Sequence, residues 1–504
     1  MTTDKPNVIL LFSDQHRADV LGCERHPDVL TPNLDQLAEE GVRFTRAYCQ
    51  DGVCVPSRSS MITGLYPRTL GCLDNGDRNP VMDNVLSLQT AFHANGYTTA
   101  AFGKRHLFQA CDQGWDIAYG FGHEEGKPNY MNWIVEQGYG REFARDWASE
   151  WGGSHPEGPK GAEEFTQAPL CAQPTELPEN MTMEAFSSDQ TIEFMKQQKE
   201  KGEPFFCWTS FYRPHQPYTP LPSYYESFDR SHWGTGRRAN DGIAKPPAFD
   251  EDPENLPPGL QCRMDQTGLP WNLKTAHDDQ QIFRDALAAY YAGVEEIDSC
   301  IGRIMDALDE LGLRENTIVI YTADHGEFAG GHGIMEKIAQ GHNVYEDCLR
   351  VPFIIRWSEI RGKGVVSNDL AELVDLYPTL MVLCGCERPE NQYALKGLSL
   401  AGHLIHGEPI KRKYSVSENW TQASVITDRY KLGIWLDPEK NPDADYRSYG
   451  DMLFDRTEDP TEINNKYHEK NLKDIKDKLY GYFEEWTGEI PKMGKDAVIH
   501  RLQT

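Results

Sequence analysis

Three short polar clusters in this chain carry residue types that do chemistry together. Ser13-Asp14-Gln15-His16 follows the apolar run Val8–Phe12, and Ala323-Asp324-His325-Gly326 follows Ile318–Thr322. Both runs read as buried strands, and strand ends at the carboxyl edge of a parallel sheet share one rim, where ligands bind. Asp14, Asp324, the Gln15 amide oxygen and a His325 nitrogen then converge on one divalent cation, although they lie far apart in the chain. Oxygen-rich ligation favours a hard ion, Ca²⁺ first, with Mg²⁺ or, given the imidazole, Mn²⁺ as alternatives. The plainer reading is that each aspartate caps its own turn, and either one alone divides evenly between the two.

The third cluster tips that balance. Cys54-Val55-Pro56-Ser57-Arg58 runs on through Ser59-Ser60-Met61-Ile62 to Thr63-Gly64. Pro56 suits a first helical turn and Gly64 a helix end. Such a helix points its free N–H groups at Cys54 and at any bound anion. This cysteine motif, with Thr-Gly shortly after, resembles the signature of the type I, formylglycine-dependent sulfatases of the alkaline phosphatase superfamily. Further blocks resemble that family in order: Thr31-Pro32-Asn33-Leu34-Asp35, Gly41-Val42-Arg43-Phe44, Gly103-Lys104-Arg105-His106-Leu107 and Arg213-Pro214-His215-Gln216-Pro217. Asp324-His325-Gly326-Glu327, Lys337, Tyr345-Glu346 and Arg350-Val351-Pro352 follow, then Leu453-Phe454-Asp455 with Glu458-Asp459-Pro460 and Asn464.

The resemblance implies an alkaline phosphatase-like fold and conversion of Cys54 to formylglycine by a maturation enzyme. It places Cys54 beside Asp14, Gln15, Asp324 and His325 at the metal. In its terms, the hydrated aldehyde attacks sulfur with Asp324 as base, while Lys104 and Lys337 neutralise the sulfate oxygens. His215 protonates the departing alkoxide, His106 assists sulfate release, and Arg58 holds the diol and the carboxylates. Each residue has a bland alternative: a solvated lysine, a turn histidine. His16, His332 and His342 are supporting candidates. The expected substrate is a sulfated saccharide or small molecule. Trp133, Tyr139, Trp147 and Trp151 stand equally for sugar stacking and for packing, and Arg78, Arg105, Arg213 and Trp420 are pocket candidates.

Two departures matter. Asp14-Gln15 stands where many members have Asp-Asp, and Asp324-His325 where they have Asp-Asn, so the metal site carries less negative charge. Phosphodiesterases and phosphonate monoester hydrolases of the same superfamily share those pairs and are the nearest rival reading. Ser57, Lys104 and His106 favour sulfate. An unmatured glycan-binding relative is a rival of another class, opposed by the full set of reactive residues.

Positioning these clusters requires an α/β fold: a mostly parallel central sheet sandwiched by helices. Strands are expected at Asn7–Ser13, Tyr97–Phe102, Phe205–Phe211, Thr317–Thr322 and Val351–Arg356, with helical patterns between them. The stripe from Ile282 through Leu311 predicts a long helix over Gln281–Leu311, ending at Gly312. Gly122–Pro178 and Ser223–Leu273 read as long loops over the sheet. After about Lys411 the pattern changes to Tyr414–Glu418, Ala423–Thr427, Tyr430–Trp435 and Met452–Asp455, then a helix near Leu472–Trp486. That divides the chain into a catalytic domain, 1–410, and a smaller antiparallel-sheet domain, 411–504.

Composition bounds the partners. The 504 residues carry a formal net charge of −28, which argues against nucleic acid or an anionic membrane. An anionic substrate is therefore held by a local cluster of positive charge. No apolar run is long enough to span a bilayer. The N-terminal stretch shows no secretion leader, so the default expectation is cytoplasmic, or periplasmic or secreted if a leader precedes it. Twelve scattered cysteines do not make a disulfide framework.

Overall fold

Val8–Phe12 offers no polar side to water, so its strand belongs in the middle of a sheet, covered on both faces. The computed structural model describes residues 5–75, 85–122, 126, 128–151, 159–337, 344–389, 395–436 and 449–490. The strands are β1 (Asn7–Asp14), β2 (Val42–Tyr48), β3 (Thr98–Gly103), β4 (Ile117–Tyr119), β5 (Phe205–Pro214), β6 (Trp233–Gly234), β7 (Ile243–Ala244), β8 (Thr317–Ala323), β9 (Arg350–Arg356), β10 (Val365–Ser367) and β11 (Ala371–Glu372). The central sheet runs β10-β2-β9-β8-β1-β5-β3-β4, with β11 also on β2; β6 and β7 form a separate pair. Among the described residues only β9 runs antiparallel to its neighbours β8 and β2 in this sheet.

Side chains of β1 alternate between two cores. Val8, Leu10 and Phe12 pack with Met61, Ile62, Phe92 and Leu376 on one face. Ile9 and Leu11 pack on the other with Phe194, Ile297, Ile301 and Leu308. That second face is covered by the helices Met183–Lys201 and Gln280–Glu310, the latter being the expected long helix. The sheet is therefore sandwiched as its uninterrupted apolar strands require.

The first insertion departs from expectation. Within 122–178 lie the helices Tyr130–Glu136 and Gly140–Trp151. Their aromatics close a small core of Phe121, Tyr130, Phe143, Trp147, Phe186 and Tyr212, with Trp133 and Tyr139 packed against it. Glycine and proline suggested a loop there, but aromatic packing overrides local propensity.

Past residue 411, β12 (Ser415–Glu418), β13 (Gln422–Ile426), β14 (Tyr430–Trp435) and β15 (Met452–Asp455) form an antiparallel sheet in that order. Val416, Val425, Leu432 and Leu453 pack against Leu479 and Trp486 of the helix Lys473–Glu489. The cysteines are free thiols. Among the described residues no helix is long and apolar enough to cross a membrane.

Gly103 ends β3 in left-handed conformation, φ 93°. A Cβ there would lie 1.9 Å from the Ser210 carbonyl oxygen, which accepts the Lys104 N–H. Gly103→Ala is expected to lower stability by about 1–3 kcal/mol from backbone strain, with the clash added. Gly96→Ala, also left-handed but with open space around it, is expected to cost less. Urea denaturation of the two variants checks the order.

Candidate active site

Parallel pairing sets Ser13 opposite Ala323, so Asp14 and Asp324 leave the same sheet edge side by side. The chain turns at once after β1, Gln15 having φ 62°. The Gln15 and His325 N–H groups both donate to Asp324 Oδ1, at 2.9 and 3.0 Å. The helix Cys54–Thr63 approaches this edge with all ten residues buried, and Gly64 ends it at φ 67°. Ser57 Oγ donates to the Asp324 carbonyl oxygen.

Arg58 locks the three segments together. Its Nε lies 2.6 Å from Asp324 Oδ2 and its Nη2 2.9 Å from Asp14 Oδ2. Its Nη1 donates to the Lys104 carbonyl at 2.7 Å and to Ser210 Oγ at 3.0 Å. Cys54 Sγ, one helical turn earlier, lies 3.2 Å from His325 Nε2 and 3.8 Å from Asp14 Oδ1.

Ligand atoms of Asp14, Cys54, Asp324 and His325 all lie within 4.8 Å of one another, and all four residues are buried. His325 Nδ1–H donates to the Gly326 carbonyl at 2.9 Å. That bond fixes the tautomer and leaves the Nε2 lone pair facing the cluster. Two carboxylates held from behind, with one oriented imidazole, fit a divalent cation. Gln15 joins this edge through its side chain: Oε1 accepts Lys337 Nζ at 2.6 Å. Its Nε2 donates to Gln216 Oε1 at 2.8 Å and also to Glu327.

Two lysines add local positive charge at this edge of an acidic chain. Lys104 Nζ lies 2.7 Å from Asp14 Oδ2 and 4.6 Å from the centre of the Tyr212 ring. Lys337 Nζ lies 3.2 Å from His215 Nε2. Because His215 Nδ1–H donates to the Gln216 carbonyl, Nε2 is the acceptor and Lys337 the donor. Burial raises Asp14, but Lys104, His215, Arg58 and His325 override it and hold the carboxyl well below its ordinary range. Burial and the two lysines push His215 well down. Burial also opposes charge on Lys337, yet Cys54, Glu336 and Asp14 carry it above its ordinary value. The Cys54 thiol, buried beside Asp14, is pushed up to about 12, so it is protonated and weakly nucleophilic.

The remaining candidates are spread around this cluster. His106 follows Lys104 in the same loop, half-buried, with φ 45°. Arg213 is taken up by Glu184, Glu296 and the Thr219 carbonyl, and Arg105 by Asp112. Trp133, Tyr139 and Trp147 belong to the aromatic core, and Trp151 stacks on Trp147. His16 is buried between the Tyr321 hydroxyl and the Val20 carbonyl, and burial pushes it down to about 4. His332 pairs with Glu251 and lines a cavity with Arg17, Asp347 and Arg350, apart from the four-residue cluster at Cys54. Trp420 is half-buried. Arg78 and His342 lie outside the described residues.

Sequence reasoning assigned no role to Glu327 or Glu150. Glu327 accepts from Gln15, Tyr218 and the Ala329 and Glu336 N–H groups. Its position within the Asp324–Glu327 block was a usable signal; Glu150 had none.

The family model described as Sulfatase matches residues 6–386, and that of the N-sulphoglucosamine sulphohydrolase C-terminal region matches 330–488. The chain belongs to the sulfatase family. Its activity class is the hydrolysis of sulfuric esters. This sulfatase is 27% identical over 500 residues to the uncharacterized sulfatase YidJ of Escherichia coli, spanning 96% of this chain and 88% of that protein. It is 26% identical to an N-acetylglucosamine-6-O-sulfatase of Bacteroides thetaiotaomicron over 79% of this chain and 70% of the relative. In fold it is similar to the phosphonate monoester hydrolase of Agrobacterium radiobacter, with a TM-score of 0.76 and 22% identity, covering 96% of this chain and 95% of that one.

The buried groups make stability depend on pH. Burial pushes Glu150 up to about 8 and Glu327 up to about 7, while Asp347 and Glu251, outweighing burial, raise His332 to about 9. Each binds its proton more tightly folded than unfolded, so its stabilisation is complete at low pH and is lost as pH rises through the folded value. His16 and His26, held down near 4 by burial, act oppositely, but their effect is complete by about pH 6.5. Metal-free sulfatase is therefore expected to unfold at lower urea at pH 9 than at pH 6.5, and Glu327→Gln is expected to reduce that drop.

Proposed function

We propose that this sulfatase removes sulfate from a saccharide ester, using a formylglycine formed at Cys54 and one divalent cation, Ca²⁺ in first place. One observation carries the reading: Asp14, Cys54, Asp324 and His325 offer ligand atoms within 4.8 Å of one another, with Lys104 and Lys337 alongside. The 26%-identical N-acetylglucosamine-6-O-sulfatase supports the saccharide class.

Asp14, Asp324 and His325 would hold the cation, which supplies positive charge to a sulfate oxygen and to the nucleophile; the Gln15 oxygen expected beside them is taken up by Lys337. The unmodified thiol is protonated and would not readily give up sulfate again. An aldehyde at this position supplies, once hydrated, one hydroxyl to attack sulfur and a second through which sulfate is released. Formation of that aldehyde implies a maturation enzyme as a partner.

The chain's own residues do the rest. Lys104 and Lys337 neutralise the ester oxygens as charge shifts toward the leaving group; one such preorganised donor is worth about 3–4 kcal/mol. Neutral His215 orients Lys337 through Nε2, so the Lys337–His215 pair holds the proton destined for the departing alkoxide. Arg58 keeps Asp14 and Asp324 at their spacing. His106, two residues past Lys104, is assigned to the release step.

A second reading, hydrolysis of phosphate diesters or phosphonate monoesters, is favoured by Gln15 and His325 at the cation edge. Mass spectrometry of the Cys54 peptide from the native host is expected to show the aldehyde, and parallel assays are expected to favour a sulfate monoester over a phosphate diester. Retained thiol in an active preparation, or preference for the diester, overturns the proposal. Calorimetric titration of the metal-free protein is expected to show divalent-cation binding that Asp14→Ala abolishes; binding unchanged in that variant removes Asp14 from the ligand set.

A further inference from the structure

Glu150 is the penultimate residue of the helix Gly140–Trp151, with only 6% of it exposed. Its Oε1 accepts Gln216 Nε2 at 3.3 Å, Gln216 Oε1 accepts Gln15 Nε2 at 2.8 Å, and Gln15 Oε1 accepts Lys337 Nζ at 2.6 Å. The carboxyl is thus three hydrogen bonds from the Lys337 ammonium, and the charges of Lys337 and Lys104 both act on it directly. Lys104 lies against Asp14 and Lys337 against His215, so Glu150 is linked through Gln216 and Gln15 to the cluster around Cys54.

Among the described residues its second oxygen has no partner: Oε2 is buried and makes no hydrogen bond to them. A buried polar atom left unsatisfied costs about 1–3 kcal/mol, and proteins retain few of them. Burial does not set it apart from Cys54 and Lys337, which are 1% and 2% exposed.

We infer that Glu150 Oε2 bonds a hydroxyl on the alcohol half of the sulfate ester, so that Glu150 selects hydroxylated, saccharide-type esters over aryl esters. The inference rests on the saccharide reading above and adds the residue that enforces it. Burial first, then Glu336, raises Glu150 to about 8 against Lys337 and Lys104. At neutral pH the group therefore carries its proton, offers a donor and an acceptor together, and adds no negative charge beside an anionic ester. A site built to pair a substrate hydroxyl strongly rejects an analogue lacking one, because its own polar group is then stranded.

The test compares kcat/KM for N-acetylglucosamine 6-sulfate and 4-nitrophenyl sulfate in matured wild type, Glu150→Gln, Glu150→Leu and Glu150→Ala. The ratio of saccharide to aryl turnover is expected to fall at least about tenfold in Glu150→Leu and Glu150→Ala. It is expected to stay within about threefold in Glu150→Gln, which keeps a neutral donor and acceptor. Two apolar variants guard against one failing to fold, with thermal denaturation as the check. Saccharide cleavage with an unchanged ratio in both apolar variants overturns the inference and leaves the saccharide reading standing. Equal losses on both substrates also overturn it, showing that Glu150 only supports Gln216. Wild type that cleaves the aryl ester but not the saccharide overturns the saccharide reading and the inference with it.

Discussion

The whole site depends on one buried guanidinium. Arg58 bonds Asp14 and Asp324 through separate nitrogens and still reaches the Lys104 carbonyl and Ser210. Two carboxylates left alone at a dry sheet edge would repel each other and take up protons. The planar fork of arginine holds both at a fixed spacing, and lysine, with a single point charge, has no equivalent geometry. Because Arg58 lies one turn after Cys54, the same bonds that pair the carboxylates also seat the reactive position above them. Removing one member of a buried pair of this kind costs about 3–5 kcal/mol. Fold stability and site geometry therefore share one residue.

Charge explains why the surroundings are arranged in layers. The surface of a chain at −28 repels a sulfate ester at a distance, but salt screens that repulsion beyond about 8–10 Å. Inside the site the balance shifts: Arg58 is paired with Asp14 and Asp324, and Lys104, against Asp14, and Lys337 add further positive charge. Tyr212 connects this layer to the first insertion, with Lys104 over its ring and His215 edge-on at 5.1 Å. The insertion is thus a packed wall behind Lys104 and His215, and its aromatics gain more from packing than from exposure.

Much of this was legible in the sequence, for identifiable reasons. The buried strands announce themselves because a strand covered on both faces must be apolar throughout, as Val8–Phe12 and Ile318–Val319-Ile320 are. Polar residues placed just beyond such strands have few other uses, which is why Asp14 and Asp324 stood out. What escaped were features made by contact at long range. Nothing local marks Glu150 as the residue that meets Gln216, since its neighbours in sequence are a tryptophan and small residues of an ordinary helix end. Arg213 misled in the opposite direction: an arginine beside a motif histidine looked available, but Glu184 and Glu296 hold it in the core. The insertion helices escaped because glycine and proline report backbone freedom, whereas those helices are held by aromatic packing.

Gln15 shows how the neighbours constrain a choice at the cation edge. An amide offers an acceptor on one side and a donor on the other, and both are used: Oε1 toward Lys337, Nε2 toward Gln216 and Glu327. An aspartate at this position would set a second carboxylate toward Glu327, already buried and accepting two backbone N–H groups. Like charges at that distance in a dry interior drive one group to protonate. Gln15 and Glu327 are therefore a coupled pair, and the Gln15 amide ties Lys337 to them. The departure from two adjacent aspartates is a rearrangement of the same charge balance, in which an amide anchors Lys337 beside His215.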